Sequence, residues 1–291
     1  MKIAGPLGIV YVVWGSTYLA MKVGVTHLPP LTLNAVRFLV AGALLWVWCA
    51  WRRRGGRWDR PTAAEWRSGA LQGVLLPAAG TGGATWAEQS LSSGTTALLL
   101  ATIPVWMVLG RRLFGQERIR LPVALGLLLG LAGVALLVSP AGGSRPAAAV
   151  ALGGALCWGL GSVYAQRAPR PEQPLLASSV EMLCAGALLA VVGGIAGEFG
   201  RAEADRGALL ALGYLIVFGS LVAYSAYEWL LQHAPARIVG TYAFVNPVVA
   251  VALGWWLLDE PVTARILLAS AIIAGGVALI VLPSTVTNGN D

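Results

Sequence analysis

Apolar residues in this chain come in runs of about twenty, split by short polar breaks, from one end to the other. That is the length of a helix crossing a bilayer. The breaks predict ten such helices, at roughly residues 5–25, 31–51, 67–87, 93–114, 121–139, 147–166, 175–196, 208–231, 236–257 and 263–283. Pro29-Pro30, Gly55-Gly56, Gly142-Gly143 and the stretch from Pro169 to Pro174 punctuate them. No break is long enough to fold as a soluble domain. The longest, about Arg52 to Trp66, is an Arg-rich linker.

The pattern repeats. Shifted by 143 residues, Thr102 to Glu117 (TIPVWMVLGRRLFGQE) falls on Val245 to Glu260 (VNPVVAVALGWWLLDE), with Pro104 over Pro247 and Glu117 over Glu260. Trp86 and Gln89 fall on Trp229 and Gln232, Gly133 on Gly276, and Pro140 on Pro283. A shift of 144 places Trp14-Gly15 on Trp158-Gly159, and Val36, Ala41 and Gly42 on Val180, Ala185 and Gly186. The chain therefore reads as two copies of one unit, residues 1–140 and 141–291. Each copy holds five spans, an odd number, so the second must cross the membrane in the opposite sense. The expected fold is an all-α polytopic membrane protein, ten transmembrane helices forming two inverted five-helix repeats. In secondary transporters of this plan the substrate sits between the halves near the midplane.

Charge orients the spans. With the N-terminus inside, the inner segments hold Lys2, Arg52, Arg53, Arg54, Arg57, Arg60, Arg67, Arg111, Arg112, Arg118, Arg120, Arg167, Arg170 and Arg237. The outer segments hold only Arg145, Arg201, Arg206 and Arg265. The excess puts both termini in the cytoplasm. The net charge of +7 is thus explained by topology and does not point to nucleic acid. Composition agrees: 57% of residues are hydrophobic and 11% charged, too few charges to cover a soluble surface. Cys49, Cys157 and Cys184 lie inside spans with no metal or disulfide spacing, so no cofactor or metal is expected. The N-terminal run could pass for a signal peptide, but Trp14-Gly15 has a counterpart in the second half, which makes the run part of the fold.

With Trp14-Gly15-Ser16, Ala35-Val36-Arg37-Phe38, the Ala223 to Tyr227 run (AYSAY), Asn246-Pro247-Val248 and the two Pro-to-Glu stretches in place, the chain resembles the EamA family of the drug/metabolite transporter superfamily. The resemblance covers nearly the whole chain. It implies a bacterial inner-membrane carrier, often an exporter of amino acids, other metabolites or drugs, and it does not select a substrate.

Lys22, Arg37, Glu181 and Glu228 are the ionisable residues inside spans, where each must face protein or water. Arg37 and Glu181 are repeat equivalents, so inversion puts them at mirrored depths, about 12 Å apart in a core of about 30 Å. A direct pair between them is geometrically unfavourable. One reading makes a pathway that is basic outside and acidic inside: Arg37 for a carboxylate, Glu181 or Glu228 for an amine or a proton. The other makes all four structural. Lys22 would then snorkel outward, Arg37 would tie helix ends together with Glu88, Glu181 would pair with Arg167 or Arg237, and Glu228 would reach the inner interface. Trp14, Tyr18, Thr81, Thr85, Trp158, Ser162, Tyr224 and their neighbours repeat at helical spacing. With Asn34, Ser178, Tyr242 and Asn246 they are expected to line an amphipathic cavity, the alternative for the tryptophans being helix packing. Pro104 and Pro247 would kink equivalent helices and serve as hinges, or simply bend them. Gly126 to Gly130 and Gly275-Gly276 suit close helix contact, within one chain or across a homodimer.

The expected function is a secondary transporter exporting a small amphipathic metabolite, an amino acid or drug-like compound, by alternating access, with proton coupling as one option. The lipid bilayer and the small-molecule substrate are the partners. A membrane scaffold and a membrane-embedded enzyme are the alternatives. No HExxH, Gly-x-Ser-x-Gly or Walker motif appears, and His27 and His233 fall on opposite sides of the membrane.

Overall fold

A computed structural model describes residues 3–52, 60–113, 121–138, 144–203, 205–234 and 236–281. Among them lie ten long helices and no strand. They are α1 (Ala4–Gly24), α2 (Pro30–Arg52), α3 (residues 63–87), α4 (Ser93–Leu113), α5 (Leu121–Val138), α6 (Arg145–Ala165), α7 (Pro174–Ile195), α8 (Arg206–His233), α9 (residues 236–258) and α10 (Ala264–Val281). Six of them, α1, α2, α4, α6, α7 and α8, are long and apolar enough to cross a bilayer by themselves. Shorter apolar stretches lie in α5, α9 and α10. Glu117, Pro140, Gly142-Gly143, Pro283 and the basic residues Lys2, Arg53, Arg54, Arg57, Arg118 and Arg120 lie outside the described residues.

Local chemistry sets the helix starts. Thr62 and Glu65 form a reciprocal capping box at α3, Thr62 Oγ1 accepting from Glu65 N. Ser92, Ser144 and Asp205 accept from the first-turn amides of α4, α6 and α8, and Pro174 opens α7 where no amide hydrogen is needed. Two starts are capped from far away in the chain. Glu198 accepts from the backbone amides of Leu31 and Thr32 at α2, 2.9 and 3.0 Å. Glu260 accepts from Ser93 N at 2.8 Å, from Ser93 Oγ at 2.8 Å and from Gly94 N at 3.3 Å at α4. A carboxylate against the positive end of a helix is favourable.

Two of the most extensive helix pairs are α2–α7 and α5–α10. Each joins one helix to its own repeat equivalent, and the contacts exchange under the repeat. A Cβ on Gly42 would come within 3.0 Å of Leu183 N, and one on Gly186 within 2.8 Å of Leu39 N. In α5–α10, Gly133 lies against Ala269 and Ile273, while Gly276 lies against Gly126 and Gly130. Gly133 and Gly276 are therefore each closed by the facing helix of the same chain. Gly276→Leu would drive a side chain into the Gly126 carbonyl, 2.7 Å from the Cβ position. Overpacking of this kind costs about 1–3 kcal/mol, so a lowered melting midpoint in detergent is expected. Gly275→Leu, where a Cβ meets nothing within 4 Å, is the matched control, and an equal drop in both would contradict the tight α5–α10 contact.

The expected pair of equivalent proline kinks needs correction. α4 is interrupted at Ala101–Thr102, and Pro104 stands in the first turn of the segment that restarts at Ile103. A first-turn proline loses no helical hydrogen bond. α9 is interrupted at Gly240–Thr241, while Pro247 sits well inside the helical segment Tyr242–Leu258. The breaks are thus out of register between the halves. Three helices instead contain π-helical stretches: Val10–Trp14 in α1, Val74–Thr81 in α3 and Leu215–Tyr224 in α8. Those of α3 and α8 coincide under the 143-residue shift.

Candidate functional site

Each π-helical stretch ends on a residue of one central cavity: Trp14, Thr81 and Tyr224. Extra residues in a helical turn re-aim side chains, and such bulges concentrate at functional sites. α1 contributes Trp14, Thr17, Tyr18 and Met21, a single stripe at helical spacing. Arg37 comes from α2, Thr81 and Ala84 from α3, and Leu100 and Ile103 from either side of the α4 break. The far wall is Trp158 of α6, Tyr224 of α8, and Tyr242 and Asn246 of α9. About 50 Å³ of free space lies among these side chains, room for a few water molecules, so the walls must part before a small molecule can enter.

Aromatic rings shape it. Trp14 is the hub, edge-on to Trp158 and Tyr242 at 5.5 Å each and tilted against Tyr227 at 4.8 Å. These separations suit edge-to-face pairing. Trp14 Nε1 donates to the Gly219 carbonyl, 3.2 Å away inside the π-helical stretch of α8. Asn246, with its amide turned to satisfy its neighbours, donates to the carbonyls of Tyr11 and Tyr242.

Arg37 is the charged residue among the lining side chains. Only 4% of it is exposed. Its Nε donates to Ser220 Oγ at 2.8 Å, its guanidinium lies 4.9 Å from the Phe38 ring centre, and Nη1 has no hydrogen-bond partner. The proposed tie to Glu88 is thus replaced by Ser220, because α2 packs on the π-helical stretch of α8. Arg37 does not bond Glu181 either. Glu181 accepts from the Tyr224 hydroxyl at 2.6 Å, and Arg167 makes no ion pair with it; the side chain of Arg237 lies outside the described residues. Glu228 does not reach the interface: it is fully buried, and neither carboxyl oxygen has a partner. It follows Tyr224 by one helical turn, close enough to Glu181 for the two carboxyls to interact. Both stand behind Tyr224, outside the lining.

Lys22 does not snorkel outward. Its ammonium donates to the carbonyls of Glu88 at 2.6 Å and Leu91 at 2.9 Å, closing the C-terminal end of α3, where a cation is favourable. Together with Glu260 it grips the α3–α4 connection from both sides. Glu88, expected only as a partner for Arg37 because it stands one residue past the predicted span, is itself a buried acid beside Lys22 whose carboxyl oxygens have no hydrogen-bond partner.

Eight expected residues therefore meet at the cavity: Trp14, Tyr18, Arg37, Thr81, Trp158, Tyr224, Tyr242 and Asn246. Six do not line it. Glu181, Glu228 and Ser162 form a layer behind the tyrosines, Ser162 Oγ lying 3.2 Å from Tyr227 Oη. Thr85 turns to Met21 Sδ and the Thr81 carbonyl, Asn34 donates to the Pro30 carbonyl, and Ser178 is buried with an unpartnered hydroxyl. Thr17, Met21, Ala84, Leu100 and Ile103 line the cavity and were missed. Thr17 and Met21 share the Trp14–Tyr18 stripe and could have been read from it, whereas nothing in sequence marks Ala84 or Ile103.

Two segments, residues 6–139 and 145–282, match the EamA-like transporter family. The chain is 38% identical over 285 residues to a protein of Escherichia coli K12 named as the uncharacterized inner membrane transporter YedA, covering 97% of this chain and 91% of that one. It is 23% identical to the uncharacterized transporter YoaV of Bacillus subtilis, covering 93% and 94%. A crystal structure at 22% identity superposes with a TM-score of 0.67 over 96% of both chains, a likeness of fold.

Proposed function

The chain belongs to the EamA-like transporter family of the drug/metabolite transporter superfamily, a multi-pass inner-membrane transporter and not an enzyme, and on that premise we propose that it exports a small amphipathic metabolite by proton-coupled alternating access. Residues 1–140 and 141–291 act as two inverted repeats with both termini in the cytoplasm. The substrate occupies the cavity between them. The observation that carries the proposal is the junction at Tyr224. Its ring lines the cavity while its hydroxyl holds Glu181, with Glu228 one turn away. Two buried neighbouring carboxyls with no cation at ion-pair distance among the described residues are stable only when they share a proton or gain a positive partner. Proton loading and substrate occupancy thus meet at one side chain.

The α4 break beside Pro104 and the segment around Pro247 supply the bending points. Both lie in the cavity wall or next to it, since Ile103 and Asn246 are lining residues. Hinges of this kind are a few positions at element ends that absorb a backbone change. Polarity and coupling are tested together in inside-out membrane vesicles with an acid lumen, supplied with labelled amino acids and drug-like compounds. Accumulation of a substrate in these vesicles, collapsing when the pH gradient is dissipated, is the expected result. Accumulation confined to right-side-out vesicles would reverse the direction, and insensitivity to the gradient would remove the proton.

A further inference from the structure

The cavity wall holds more hydrogen-bond donors than it can use. Arg37 Nη1 is shielded from water and unpartnered. So is Trp158 Nε1, and so is the Tyr242 hydroxyl, which approaches Trp158 without reaching hydrogen-bond geometry with it. The three come from α2, α6 and α9, hence from both halves of the chain, and all three residues face the same space. A buried donor without an acceptor is costly, and a charged one more so. Acids do not neutralise Arg37: Glu181 is engaged by Tyr224, and Glu228 lies behind the same ring. Much of the rest of the wall is apolar, with the aromatic faces of Trp14 and Tyr224 beside Met21, Leu100 and Ile103, which suits an apolar or aromatic body.

We infer that the substrate carries a carboxylate, bound end-on by Arg37 with help from Trp158 and Tyr242, and an apolar or aromatic body held against Trp14. A planar guanidinium suits a carboxylate through paired hydrogen bonds. Cationic drugs without an acid are thereby disfavoured. This rests on the carrier reading above, but it is decided by binding and not by transport.

The test uses the full-length protein in detergent, titrated with 3-phenylpropanoate, its amide and phenethylamine, and followed by tryptophan fluorescence and by thermal shift. The three probes share one body and differ in the end group. The acid is expected to bind the wild type about tenfold or more tightly than the amide or amine. Arg37→Gln should erase that preference. Tyr242→Phe, which removes one donor and no charge, should reduce it only in part. Equal affinity for the three probes, tighter binding of the amine, or no binding of the acid would overturn the carboxylate. Retention of the preference in a folded Arg37→Gln protein would overturn the role of Arg37. Vesicle transport of an uncharged or cationic compound would leave the carrier standing while the carboxylate falls.

Discussion

Replacing Glu181 and Glu228 together by glutamine is expected to abolish substrate accumulation against a gradient while leaving substrate exchange intact. One pH unit across the membrane corresponds to about 1.4 kcal/mol. With one proton exchanged per substrate, that supports an accumulation of about tenfold in wild-type proteoliposomes. The double variant should stop at equilibrium. Either carboxyl alone still offers a proton site, so the single variants should retain part of the coupling. Glu181→Gln should lose more, because Glu181 is the carboxyl tied by hydrogen bond to the cavity through Tyr224. Misfolding is an unlikely confounder on physical grounds. Glutamine preserves shape, and exchanging buried ionisable groups for neutral ones is often neutral or stabilising. Accumulation by the double variant at the wild-type level, with an unchanged melting midpoint, would rule these residues out as the coupling site.

Trp14→Ala carries the second large effect. Trp14 touches Trp158, Tyr224, Tyr227 and Tyr242, and its indole hydrogen bonds to the Gly219 carbonyl. Truncation removes a ring 8% exposed and leaves a void at the meeting point of four helices. Comparable changes cost about 3–5 kcal/mol. A large fall in the melting midpoint is expected, together with loss of ligand binding. Trp14→Phe keeps an aromatic body and drops the hydrogen bond, so it should recover most of the stability and part of the binding. Ligand affinity in Trp14→Ala equal to wild type would place the substrate elsewhere.

Helix positions were readable because the membrane imposes them. Each apolar run ends where the structure ends its helix, within a few residues: the expected 31–51 became Pro30–Arg52, and 147–166 became Arg145–Ala165. The repeat placed Gly42 beside its counterpart Gly186 in the alignment, and the structure sets each against the other's helix. The partners of single polar groups were not readable. Arg37 finds Ser220 because a π-helical stretch presents that hydroxyl, and no residue pattern announces such a stretch. Tyr11 was expected on the Trp14–Tyr18 face. The wider turn at Val10–Trp14 re-aims it, and its hydroxyl bonds Thr241 at the α9 break. Lys22 was assigned to the edge of the membrane by depth alone, which cannot show that it and Glu260 converge on the α3–α4 connection.

The caps on α2 and α4 have a consequence for biogenesis. Both carboxylates, Glu198 and Glu260, belong to the second half of the chain, whereas the amides they satisfy, at Leu31, Thr32, Ser93 and Gly94, belong to the first. Chains are made from the N-terminus. The first five helices must therefore enter the membrane with two helix starts waiting for acceptors, water holding the place meanwhile. α2 is completed only once the segment after α7 has been synthesised, and α4 only after α9. The rim that carries Glu198 and Glu260 is thus the last part to mature, and a nascent chain halted before residue 260 would hold its helices without the clasp that closes that rim.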